Sequence, residues 1–287
     1  MPEDNNFDEL SFLRGEIRRL RHALNVLTPG IEVVLRRRGF RIYKKDPSDD
    51  LLLPAAEFLD EYYRLLQKYS FRLFLRDVIK DQDSFTAEKV TRYATSGVTD
   101  QYIECLARIG LAEKQGSGYS LGLHIKSFGE TLEWYFAELL KREFGAEAIR
   151  GVKFKRPKIG GDYDVIAKFD GSLLYAEVKS SPPKQIYDNE ISAFLDRISD
   201  LRPEIAVFFM DTELRMKDKI VPMFEGELRK RHRQTPEVLR IEKELFQIQD
   251  RIFIINSKDS ILRNIETVLS RYFRTRGQVG ERPFVMP

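Results

Sequence analysis

The dipeptide Asp170-Gly171 lies between two runs of strand-forming residues, DYDVIAKF and SLLYAEVKS, and constrains the chain more than any other stretch. Asp-Gly accepts the positive φ angles of a two-residue hairpin turn, so the two runs should pair as neighbouring antiparallel strands. Side chains alternate across a strand. Asp162 and Asp164 then share one face, with Tyr163 and Val165 on the other; on the partner strand Glu177 and Lys179 share a face, opposed by Val178. Charges at i and i+2 in apolar strands cost free energy unless they stay wet or bind something. This hairpin is where chemistry should be sought.

The surrounding pattern alternates helix and strand. A helix over residues 125–144 precedes strand-like GVKFKR and the hairpin; a helix over 189–200, strand IAVFFM, a helix from about Lys217, strand RIFIINS and a helix over 259–273 follow. GQVGERPFVMP looks like a loose tail. Such alternation implies an α/β fold with a mixed sheet over residues 124–287. Upstream, residues 54–81 have helical periodicity, and two short helices over 86–93 and 98–109 flank the small-residue turn Ala94-Thr95-Ser96-Gly97. LAEKQGSGYSLG then reads as a hairpin. Helix, helix, turn, helix and hairpin resemble a winged helix-turn-helix, so residues 54–123 form a second expected unit. Its recognition helix would present Thr99, Gln101 and Tyr102, with Lys114 and Gln115 in the wing.

Residues 1–53 hold a heptad seam of Leu10, Leu13, Ile17, Leu20, Leu24 and Leu27, a possible homodimer contact with a helix lying on its own domain as the alternative. Thr28-Pro29-Gly30 ends it, and IEVVLRRRGFRIYKK is expected to be a short strand segment before the DPSDD loop. With 42% hydrophobic and 32% charged residues the chain can bury a core, and its apolar runs fall short of the ~18 residues of a spanning helix. The acidic start MPEDNNFDEL is unlike a signal peptide, so the expected address is cytoplasmic. A lone Cys105 and scattered His22, His124 and His232 exclude an internal disulfide and a cysteine-based or His-spaced metal site. No GxxxxGK[ST] occurs, no GxGxxG follows a strand and no GxSxG elbow is present, which leaves ATP hydrolysis and hydride transfer without support.

GGDYDVIA, thirteen residues from Asp164 to Glu177, and Glu177-Val178-Lys179 resemble the PD-(D/E)xK nuclease superfamily. The resemblance implies a restriction-endonuclease-like fold of helix, three strands, helix and strand, and a Mg²⁺- or Mn²⁺-dependent deoxyribonuclease. It implies that Asp164 and Glu177 bind the metal and that Lys179 stands beside the attacked phosphate. No proline precedes the aspartate, and Asp162 competes with Asp164; the apolar Val165-Ile166-Ala167 that follows Asp164 favours it, leaving Asp162 auxiliary. In many members a helix glutamate completes the metal site. Glu133, one residue before Trp134, matches it, with Glu130 one turn earlier as an auxiliary group. Hard oxygen ligands suit Mg²⁺ or Mn²⁺. Lys179 could orient or deprotonate the attacking water, or stabilise the phosphorane as a fixed cation.

A net charge of +3 decides nothing about a nucleic-acid partner, so local clusters must. Lys153, Lys155, Arg156 and Lys158 lead into Gly160-Gly161 and could grip a phosphate backbone; their alternative role is to protect a sheet edge. DNA is the expected partner, with RNA left open. The rival expectation is a non-catalytic DNA-binding regulator that keeps a nuclease-like scaffold.

Overall fold

The computed structural model describes residues 12–17, 19, 20, 23, 24, 27–90, 92, 94–155 and 159–278. It is a mixed α/β fold built on an eight-stranded sheet flanked by helices. The site-bearing part runs as helix α6 (Gly129–Phe144), strands β4 (Glu147–Phe154), β5 (Tyr163–Phe169) and β6 (Ser172–Lys179), helix α7 (Asp188–Leu201) and strand β7 (Ile205–Met210). This is the order of helix, three strands, helix and strand expected for this part of the chain. Asp170 and Gly171 take φ values of 44° and 85°, as a tight hairpin turn requires, and β5 pairs antiparallel with β6 through Val165↔Ala176. Strand β6 runs parallel to β7.

The sheet extends past these strands on both sides. Strand β1 (Ile42–Lys44) forms one edge against β4, and β10 (Ile252–Asn256), β9 (Leu245–Ile248) and β8 (Val238–Glu242) continue beyond β7. The β8–β9 pair was not expected. Its turn residue Lys243 and the following turn residue Gln249 carry positive φ without a glycine, so no turn dipeptide marked them. Residues Ile31–Arg37 form helix α1 rather than strand. Ile31 and Leu35, one helical turn apart, are both buried, and the Ile31 N–H donates to Glu147 Oε2 at 2.8 Å. The last helix, α9, spans Ile261–Gln278, longer than expected; the tail from 279 lies outside the described residues.

Along β7, residues alternate between two apolar cores, one on each sheet face: Ile205, Val207 and Phe209 in the first, Ala206, Phe208 and Met210 in the second. The first core also takes Leu66, Phe71, Phe74, Tyr102 and Leu106 from upstream helices, together with Leu52. Apolar packing is therefore continuous across the boundaries expected at 53 and 123. A buried ion pair spans the boundary at 123 too. Arg72 on α3 (Tyr69–Lys80) donates through Nε and Nη2 to Asp211 Oδ1 at 3.0 and 2.8 Å.

The upstream unit has helices α3, α4 (Ala87–Val90) and α5 (Ser96–Arg108), then the hairpin of β2 (Ala112–Gln115) and β3 (Gly118–Leu121), bridged by Phe85 to Tyr119. Two expected DNA contacts are corrected here. Thr99 is fully buried, its hydroxyl donating to the Thr95 carbonyl, and Tyr102 packs its ring against Phe71 and Phe74 at 5.0 and 5.3 Å. Both belong to the apolar face that seats α5 on the core. Gln101 and Lys114 are exposed. Among the described seam residues, Leu13, Ile17, Leu20, Leu24 and Leu27 are helical or helix-flanking and all exposed; Leu10 lies outside the described residues.

Candidate active site

Alternation fails at one place in β4 and at the facing place in β5. In β4, Ile149 and Val152 both lie in the second core, although three residues apart; in β5, Tyr163 lies in the second core and Val165 in the first. Expectation put Tyr163 and Val165 on one face. The reason is on the neighbouring strand: Gly151 has φ +53°, and Arg150↔Val165 with Val152↔Tyr163 places it opposite Asp164. Both strands change phase together, so register survives while Asp164 sits at the kink.

Beyond Val165↔Ala176 the β5–β6 ladder stops, and the Asp164 carboxylate takes over a strand-to-strand bond. Its Oδ2 accepts the Val178 N–H at 2.8 Å. From the first-core side, helix α6 supplies Glu133, which makes no hydrogen bond or salt bridge among the described residues. Burial, then the charge of Asp164, pushes the Glu133 carboxyl up to about 9, against the opposing pull of Arg150. Burial and the Glu177 charge push Asp164 up to about 8. The three carboxyl groups thus feel one another across the kink. Glu130 is turned to the loop, accepting the Asp50 N–H.

Glu177 is 3% exposed and strongly held. Lys179 Nζ stands 2.9 Å from its Oε1, while Arg197 Nη1, at 2.9 Å, and the Tyr175 hydroxyl donate to Oε2. Lys179 also meets Glu190 Oε2 at 3.3 Å. Burial works to lower the lysine pKa, but Glu177 and Asp164 outweigh it and hold the amine above its ordinary value. Asp162, the auxiliary candidate, is half-buried and pairs with Lys153 at 3.0 Å. The structure therefore brings Glu133, Asp164, Glu177 and Lys179 together and sets Asp162 apart on a separate ion pair. Among the described residues, no group of three or more His, Cys, Asp or Glu is arranged so that it could hold a metal ion as placed.

Of the basic stretch, Lys155 is exposed and its N–H pairs with the Arg41 carbonyl, whereas Arg156 and Lys158 lie outside the described residues. Sequence reasoning missed Tyr175, Glu190 and Arg197. Tyr175 was readable, two residues before Glu177 on the same face. Glu190 and Arg197 sit on α7, seven residues or two turns apart, and nothing local to the hairpin announces them.

No protein-family model and no curated protein matches the chain. Solved structures similar in outline include the following two. Can2 from Sulfobacillus thermosulfidooxidans, in complex with cyclic tetra-adenylate, is 15% identical, with 63% of this chain and 50% of that chain covered and a TM-score of 0.42. Protein VC1899 from Vibrio cholerae is 13% identical, with 85% of this chain and 61% of that chain covered and a TM-score of 0.48. The chain thus spans half of one and under two thirds of the other. Likeness at these values carries no inference about chemistry, and the site stands on its own geometry. No described helix is long and apolar enough to cross a membrane.

Proposed function

We propose that the protein is a Mg²⁺- or Mn²⁺-dependent nuclease of the PD-(D/E)xK kind that cleaves DNA. The observation that carries this reading is the kink at Asp164, where carboxyl groups from α6, β5 and β6 crowd together beside one lysine. Two of them, Glu133 and Asp164, are driven toward the protonated form by burial and mutual repulsion. Hard oxygen donors that repel one another fit a divalent cation, which relieves that repulsion. Glu133, Asp164 and Glu177 would hold it by closing in from their present positions, in which they are not gathered around an ion. When bound, such an ion activates water and neutralises charge on phosphate oxygens.

The chain's own groups divide the remaining work. Lys179 stays protonated between Glu177 and Glu190, so it serves as a fixed cation for the phosphorane rather than as a base. Arg197 and Tyr175 fix the Glu177 carboxylate. Exposed Gln101, Lys114 and Lys155 remain the groups proposed to meet the nucleic acid, and the exposed seam is proposed to pair two copies. Replacing Ile17 and Leu20 with glutamate should turn a dimer into monomers in light scattering; a native protein that is monomeric at high concentration ends that idea.

A scaffold without catalysis draws on a different observation: Glu177 is already compensated by Lys179, Arg197 and Tyr175. One experiment separates the two. Supercoiled, linear and branched DNA, with RNA in parallel, is incubated with the protein with and without Mg²⁺ or Mn²⁺. Asp164→Asn, Glu177→Gln and Lys179→Ala should abolish metal-dependent cleavage, and Asp162→Asn should cost no more than the ~10–100-fold of a supporting group. Cleavage equal to native in the first three variants, or none by the native protein, rejects the nuclease reading.

A further inference from the structure

Helix α7 reaches the candidate site with two charged side chains, and one of them touches both elements that carry it. Arg197 Nη1 donates to Glu177 Oε2 on β6 at 2.9 Å. Its Nη2 lies against the loop before β5, so close that a Cβ added at Gly161 would stand 2.6 Å away. Gly161 itself has φ +96°, a conformation that suits glycine. Among the described residues, Arg197 Nε is buried with no hydrogen-bond partner, a cost that the side chain bears where it stands. Two turns earlier, Glu190 closes the N-terminal capping box of α7 through the Tyr187 N–H and grips Lys179 with its other oxygen. Charges of alternating sign thus run Arg197, Glu177, Lys179, Glu190.

We propose that Arg197 is the positioning residue of this site, fixing Glu177 on β6 and the glycine loop that leads to Asp164 on β5 with one guanidinium. The proposal rests on the nuclease reading for its consequence and on the contacts above for its geometry. A planar fork reaches two partners at once. Its side chain is mostly buried, so it acts through Glu177 and the loop and not on DNA.

The test is Mn²⁺ titration calorimetry on the native protein, Arg197→Met, Arg197→Lys and Glu177→Gln, with amide exchange of the metal-free proteins over residues 161–178. Removing a nearby positive charge would by itself tighten a cation. Loss of positioning does the opposite. Arg197→Met should weaken Mn²⁺ by ~10–100-fold, lower kcat with little change in KM for DNA, and speed exchange at Gly161 and at Val178, whose N–H Asp164 holds. Arg197→Lys should recover part of the affinity, because an ammonium restores the charge without spanning both partners. Unchanged or tighter Mn²⁺ binding by Arg197→Met overturns the proposal. If Glu177→Gln binds like the native protein, or the native protein binds no Mn²⁺, the nuclease reading falls instead. Exchange then decides alone: faster exchange in Arg197→Met supports positioning, and unchanged exchange overturns it.

Discussion

Glu133 and Asp164 hold protons that an unfolded chain would release. Their pKa values rise on folding, to about 9 and about 8, first because burial penalises the charged form and then because each faces another carboxylate. Between the ordinary carboxyl range near 4 and these values the folded protein binds more protons than the unfolded one, so stability falls as pH rises through that window and is fully present below it. Glu133→Gln removes one such group. At pH 8 without divalent cations it should melt at least ~2–4 °C above native, and at pH 4 no higher. Thermal unfolding across that pH range checks this; parallel curves for the two proteins would show that Glu133 does not carry the charge strain. The residue scale was also the most legible in the sequence. Asp164, Glu177 and Lys179 stood out because charges interrupt apolar strands, whereas Arg197 could not, since its role exists only once α7 crosses β6.

The kink shared by β4 and β5 decides how the elements meet. A period-two pattern assumes an unbroken pleat, and Gly151 breaks it through a neighbour: the reading of Tyr163 and Val165 as one face failed because of a residue on another strand. Where the signal was local, it held, as at Asp170-Gly171. The β-branched run after Gly30 misled, because burial of Ile31 and Leu35 against the second core outweighs the strand preference of isoleucine and valine. Gly151 is therefore the most sensitive backbone position near the site. An added Cβ would meet Pro47 Cδ at 2.5 Å, and Arg150 already ties that loop down through the Pro47 carbonyl. Gly151→Ala should lower stability by ~1–3 kcal/mol, read from the denaturant midpoint, and impair cleavage along with it. Native stability with native cleavage would mean the kink is adaptable.

At the scale of the whole molecule, the upstream helices and the sheet share one core instead of meeting at a linker. Leu66, Phe71, Phe74 and Leu106 pack in the same cluster as Val165, Ala176, Val207 and Phe209, and the Arg72–Asp211 pair lies wholly inside, with Ser257 donating to the same carboxylate. Burial alone would raise the Asp211 pKa, yet Arg72 and Arg76 overcome it and hold the carboxylate below its ordinary value. Cutting the chain at 123 would strip this face of the sheet, putting Val165, Val207 and Phe209 in water and taking both cations from Asp211. Each large apolar side chain left exposed forfeits about 1.5–3 kcal/mol, so a few of them equal a domain's net stability. Residues 124–287 alone should therefore lack a cooperative thermal transition and near-ultraviolet circular dichroism, and show no metal-dependent cleavage. Asp211→Ala in the full chain leaves Arg72 buried without its partner and should lower stability by ~3–5 kcal/mol, with the carboxylates at the kink still in place. A truncated chain that melts cooperatively and still cuts DNA would show that the sheet half folds by itself and that the upstream helices serve only to bring it to its substrate.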